Sequence, residues 1–96
     1  MLLKGKVAVV TGGGRGIGRA IAREFAAEGA SLVITARSEQ EIDEVAKEIR
    51  TDGGKASSVV ADVSGEKDCE EIVSSARKAF GAIHILVNNA GGPRSG

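Results

Sequence analysis

Eight residues near the start of the chain carry its clearest chemistry: Thr11-Gly12-Gly13-Gly14-Arg15-Gly16-Ile17-Gly18. They follow the apolar run Val7-Ala8-Val9-Val10 and precede a segment of helical spacing, so the glycines fall where a strand turns into a helix. Glycine accepts the backbone angles of a tight turn and puts no Cβ between the main chain and a ligand. The helix that follows offers unpaired N–H groups and a partial positive charge, which together receive an anion. Gly12, Gly14, Arg15, Gly16, Ile17 and Gly18 are therefore candidate contacts to a phosphate or a dinucleotide pyrophosphate, the plain alternative being a turn that holds no ligand. A triphosphatase loop is disfavoured. Counting from Gly13 reaches Gly18, but Arg19-Ala20 follows where that loop needs a lysine and a hydroxyl residue.

The second apolar run, Leu32-Val33-Ile34-Thr35, leads into Ala36-Arg37-Ser38. At this place a binder of NAD, like a binder of methyl donors, usually has an acidic residue that takes the ribose hydroxyls. None is present. Arg37, with Arg15 in the glycine loop, suits the 2′-phosphate of NADP(H), and Ser38 adds a hydroxyl donor; the alternative for both arginines is solvated surface. Two more polar groups close later runs: Asp62-Val63, and Asn88-Asn89-Ala90-Gly91. The ligand crevice of an open α/β sheet lies at such strand ends. A helix cap at Asp62 and turn-forming amides at Asn88-Asn89 would account for the same residues without a ligand. His84 reads as a strand-edge residue rather than a catalyst. Cys69 reads as a packed thiol on an apolar stripe.

The elements that must position these groups follow from the hydrophobic pattern. Four short apolar runs, the two above with Ser58-Val59-Val60-Ala61 and Ile83-His84-Ile85-Leu86-Val87, are continuous rather than alternating, as in strands buried on both faces. Three amphipathic segments separate them. The first, Gly16 to Glu28, puts Ile17, Ile21 and Phe25 on one stripe. The second opens on the capping box Ser38-Glu39-Gln40-Glu41, carries Ile42, Val45, Ala46 and Ile49, and stops at Gly53-Gly54. The third follows Ser64 with Cys69, Ile72, Val73, Ala76 and Phe80, and closes at Gly81. Right-handed crossovers turn β-α-β-α-β-α-β into a partial doubly wound (Rossmann) parallel sheet of the α/β class, its four strands in the order 3-2-1-4 with three helices on both faces.

Composition narrows the partners. Thirteen Lys+Arg balance thirteen Asp+Glu, so the basic excess that draws a chain to nucleic acid or an anionic membrane is missing. The two phenylalanines are the only aromatic residues, too few for a base-stacking surface. No apolar run approaches the roughly 20 residues of a membrane span. One cysteine and no signal-peptide pattern fit a cytoplasmic location. Glycine is abundant, 14 of 96 residues, against a usual share of about 7%.

Taken together, TGGGRGIG at Thr11–Gly18, Asp62-Val63, and Asn88-Asn89-Ala90-Gly91 resemble the short-chain dehydrogenase/reductase family over essentially the whole chain. The look is closest to 3-oxoacyl-[acyl-carrier-protein] reductases. The resemblance implies that Gly12, Gly16 and Gly18 form the phosphate turn and that Ile17 adds a backbone contact. It places Asp62 and Val63 on the adenine, Asn89, Ala90 and Gly91 along the nicotinamide-side ribose, and Asn88 as a tie between central strands. The family often carries an acidic residue where His84 stands. Its proton donor, a tyrosine in a Tyr-x-x-x-Lys pair helped by a serine and an asparagine, has no counterpart, because the sequence contains no tyrosine. Residues 1–96 thus read as one domain, the NADP(H)-binding front half of a reductase, inactive alone and without catalytic residues of its own. The competing reading is a non-catalytic NADP(H)-binding or interaction module. With no further strand beside the fourth, Ile83, Ile85, Leu86 and Val87 would offer an apolar edge for self-association.

Overall fold

In the computed structural model, which describes residues 2–12, 14, 16–61 and 66–89, seven elements alternate along the chain. They are β1 (Val7–Thr11), α1 (Gly16–Ala27), β2 (Ser31–Ala36), α2 (Glu39–Thr51), β3 (Lys55–Val60), α3 (Glu66–Phe80) and β4 (Ile85–Asn88). The strands form one parallel sheet in the order β3-β2-β1-β4, as the pattern predicts. The order reverses between β2 and β4 on either side of β1, which is where such a sheet opens its crevice.

Strand alternation sends neighbouring side chains to opposite faces, and each face has its own core. Ala8, Val10, Leu32 and Ile34 join Ala22 of α1 and Ile42, Val45, Ala46 and Ile49 of α2. Val9 and Val33 join Ile72 and Ala76 of α3. The helix-2 stripe read from the sequence is buried at all four positions. Ser38 caps that helix, its Oγ accepting from the Glu41 N–H at 3.4 Å. At the far end Gly53, with φ +93°, turns the chain so that the Gly54 N–H meets the Ile49 carbonyl at 2.9 Å.

Five expectations need correction. Only β1 and β2 are buried on both faces; β3 and β4 are edge strands with half-exposed positions. An edge strand needs fewer apolar residues, so β3 begins at Lys55, ahead of the apolar run, where pairing with Ser31 starts. Ile17 is 70% exposed, because Gly18 and Ala22 are the α1 positions turned to the sheet, with Ile21 and Phe25 packed beside them. Cys69 is exposed, not packed, and Val73 is 41% exposed. Ile72 and Ala76 make the α3 contact with Val9 and Val33, and the line through Cys69 and Val73 turns away from it. On β4, Leu86 is 65% exposed, whereas Ile85 and Val87 rest against the α1–α2 core.

His84 fixes the start of the β1–β4 ladder. Its backbone N–H donates to the Val7 carbonyl at 2.8 Å, and the Val7 N–H donates to His84 Nδ1 at 2.9 Å. One residue thereby satisfies both polar groups of buried Val7, and the ring supplies the acceptor that a carboxylate would supply at the same place. Leaving that N–H unsatisfied costs about 1–3 kcal/mol. His84→Leu is therefore expected to lower the melting temperature by at least about 4 °C, whereas His84→Asp keeps an acceptor and most of the stability; thermal melts of the two variants check this.

Candidate functional site

The site is built at the carboxyl ends of β1, β2 and β4. Gly12, at φ +68°, turns the chain out of β1, and its N–H donates to the Thr35 carbonyl at 2.7 Å, which ties the glycine loop to the end of β2. On the other side of β1, the Thr11 hydroxyl has Val87 O at 3.3 Å and Asn88 Oδ1 at 3.2 Å in reach, and accepts from the Asn89 N–H at 2.9 Å. Asn89 Nδ2 then reaches the Gly12 carbonyl at 3.4 Å. Asn88 does tie β4 to β1 through its side chain. So does Asn89, a structural role that the sequence reading did not assign to it. The signal was available in Thr11, a hydroxyl residue ending an otherwise apolar strand.

Gly18 is where α1 meets this cluster. A Cβ there would stand 2.1 Å from the Gly12 carbonyl oxygen and 2.8 Å from Asn89 Nδ2, so only glycine allows the helix to come so close to the loop. Gly16, at φ +63°, is the opposite case: nothing lies within 4 Å of the place its Cβ would take. With exposed Ile17 beside it, the first turn of α1 leaves room for a ligand against the backbone at Gly16. No acidic residue stands in that first turn, whereas the first turn of α2 holds Glu39 and Glu41 behind the Ser38 cap. The α2 end is complemented by its own side chains, whereas the first turn of α1 carries no such acid and suits an anion.

Arg37 and Ser38 sit one step beyond β2, next to the carbonyl that holds Gly12. Arg37 is exposed, and among the described residues no carboxylate claims its guanidinium. The arginines of the neighbouring helices are committed elsewhere. Arg19 and Arg23 pair with Glu48, Arg23 also approaches Asp52, and Arg50 donates to the Ala56 carbonyl. Ser38 accepts from Glu41 N–H and keeps its own proton to donate. The Ala61 N–H meets the Ala36 carbonyl at 3.0 Å, which sets the end of β3 beside Arg37. Of the other expected contacts, Arg15, Asp62, Val63, Ala90 and Gly91 lie outside the described residues.

An α1 first turn without an acidic residue, the glycines Gly12, Gly14 and Gly16, and the uncommitted Arg37 beyond the next strand fit a dinucleotide with its phosphates along the loop. Among the described residues no cluster of His, Cys, Asp or Glu could hold a metal, and no helix is long and apolar enough to cross a membrane.

Comparison with known proteins agrees with this geometry. The family model for short chain dehydrogenases matches residues 6–96. An uncharacterized oxidoreductase of Mycobacterium tuberculosis is 47% identical over 90 residues, covering 94% of this chain and 34% of its own length. A hydroxysteroid dehydrogenase crystal structure from Escherichia coli superposes with a TM-score of 0.91 at 40% identity, over 94% of this chain and 38% of that one. A metagenomic short-chain oxidoreductase in complex with NADP superposes with a TM-score of 0.88 at 43% identity, over 95% of this chain and 41% of that one. The chain belongs to the short-chain dehydrogenase/reductase family, which binds nicotinamide dinucleotide cofactors. It spans about a third of the length of the curated relatives it matches.

The Gly18 contact generates a direct expectation. Gly18→Ala must push α1 away from Gly12 and Asn89, a displacement of backbone rather than of a flexible side chain. Overpacking of this kind costs about 1–3 kcal/mol. The variant is expected to melt lower and to lose dinucleotide binding, both read in one thermal-shift titration; unchanged melting and binding would contradict the close approach.

Proposed function

We propose that this chain is the NADP(H)-binding portion of an oxidoreductase that moves hydride between NADPH and a carbonyl or alcohol substrate. The carrying observation is the pairing of an α1 first turn that holds no acidic residue with an exposed Arg37 just past β2, which no carboxylate among the described residues claims. In this reading the pyrophosphate lies on the first turn of α1, held by Gly12, Gly14, Gly16, Ile17 and Gly18. Arg37, Ser38 and Arg15 receive the 2′-phosphate. Asp62 and Val63 hold the adenine, and Asn89, Ala90 and Gly91 border the nicotinamide ribose. The nicotinamide supplies the hydride chemistry; these residues bind and orient it. None of them is a proton donor for the substrate, and with no tyrosine in the sequence the chain alone is inactive.

The parent reaction is of the kind catalysed by 3-oxoacyl-[acyl-carrier-protein] reductases, and the place of work is the cytoplasm. The NADP complex of the metagenomic relative supports the cofactor choice. Among the described residues β4 pairs with β1 alone, and its exposed Leu86 marks the edge through which the isolated chain associates with itself.

Two measurements test these proposals. A charge-assisted hydrogen bond contributes about 1.5–3 kcal/mol, so Arg37→Ala is expected to weaken NADPH by about tenfold to a hundredfold while leaving NADH nearly unchanged in titration calorimetry. Equal affinity for the two cofactors in the unmodified chain would overturn the assignment. Sedimentation is expected to show a concentration-dependent dimer that Leu86→Lys returns to monomer; a monodisperse monomer in the unmodified chain would contradict self-association.

A further inference from the structure

We infer that the contact between Gly14 and Glu41 is the spacer that sets the distance between the pyrophosphate turn and the 2′-phosphate loop, which makes residue 41 a positioning residue for cofactor selectivity. The inference rests on the proposed NADP(H) site and deepens it. Gly14 is buried in the glycine loop, and Glu41 lies in the first turn of α2, three residues after Ser38. A Cβ on Gly14 would stand 2.9 Å from Glu41 Cβ, 3.2 Å from Glu41 Oε1 and 3.5 Å from Ile42 Cγ2. The nearest of these atoms is close to the backbone of a helix that cannot retreat, because Ile42 is fully buried in the core.

Glu41 is also held from the phosphate side. Its N–H donates to Ser38 Oγ, the same hydroxyl that would donate to the 2′-phosphate. One residue therefore touches both halves of the site: its Cβ sits against the glycine loop, and its backbone fixes the Arg37-Ser38 corner. The second tie between the halves, Gly12 N–H to Thr35 O, lies at the base of the loop. The Gly14–Glu41 contact lies farther along it, where a change in separation moves the pyrophosphate relative to Arg37 and Ser38 while each half keeps its own contacts.

The consequence differs from a general loss of stability. Widening the gap should cost NADPH, which must reach both halves, much more than NADH, which uses the glycine loop without the phosphate corner. The experiment is a cycle of Gly14→Ala, Glu41→Gly and the double variant, with Kd for NADPH and for NADH measured on each and folding checked by circular dichroism. Gly14→Ala is expected to lower the NADPH/NADH preference by about tenfold. Glu41→Gly in the double variant removes the opposing Cβ and should restore most of that preference; Glu41→Ala in its place keeps that Cβ and should not. Should Gly14→Ala fail to fold, Glu41→Gly alone carries the test, because loss of the spacer is expected to lower the preference too. A preference unchanged in the folded variants, an equal loss for both cofactors, or rescue by alanine as complete as by glycine would overturn the inference. Absence of any NADPH preference in the unmodified chain would instead remove the proposed cofactor assignment beneath it.

Discussion

The whole site depends on how closely α1 approaches the end of β1. Gly18 lets the helix descend until its first turn lies against the Gly12 carbonyl, and that same carbonyl accepts from Asn89 at the end of β4. Gly12 is tied in turn to Thr35 at the end of β2. Three strand ends and a helix terminus therefore meet at one glycine. A side chain at position 18 would separate them, and with the separation would go the alignment of helix N–H groups with the corner that carries Arg37. The hydrophobic cores on the two faces make the sheet stable; this polar junction brings the three strand ends and the α1 terminus together at the mouth of the crevice.

The two helix N-termini that face this junction are chemically opposite. At α2 the chain completes itself with Ser38, Glu39 and Glu41. At α1 it places glycine and an exposed isoleucine and no acid. A structural turn would gain from a carboxylate or hydroxyl cap at both ends, since such groups stabilise a helix by a few tenths to about 1 kcal/mol. A first turn of α1 without an acid, beside an α2 whose first turn holds two, suits an anionic ligand.

Much of this was legible before any coordinates. Alternation and handedness point to a parallel sheet with helices on both faces, and the doubly wound nucleotide-binding pattern adds the strand order 3-2-1-4 that the structure shows. The α2 stripe is legible because a helix packed on a sheet repeats its apolar residues with a clear period. The misreadings share a cause. Ile17 and Cys69 are apolar residues on amphipathic helices whose exposure depends on which line of the helix meets the sheet, and small residues such as Gly18, Ala22 and Ala76 carry that contact without announcing it. The early start of β3 was hidden because edge pairing with β2 accepts Lys55 and Ser57, which a hydrophobic scan passes over. His84 was illegible for another reason: its value lies in one acceptor atom aimed at Val7, and no pattern in the chain records an angle.

The central claim, that the α1 N-terminus and Arg37 jointly receive a dinucleotide carrying an extra phosphate, is tested most directly by phosphorus NMR of NADP+ titrated with the chain. The account expects both the pyrophosphate and the 2′-phosphate resonances to shift on binding, with the 2′-phosphate titrating at lower pH than in free NADP+ because a guanidinium favours its dianion. Movement of the pyrophosphate signals with an unperturbed 2′-phosphate would contradict it.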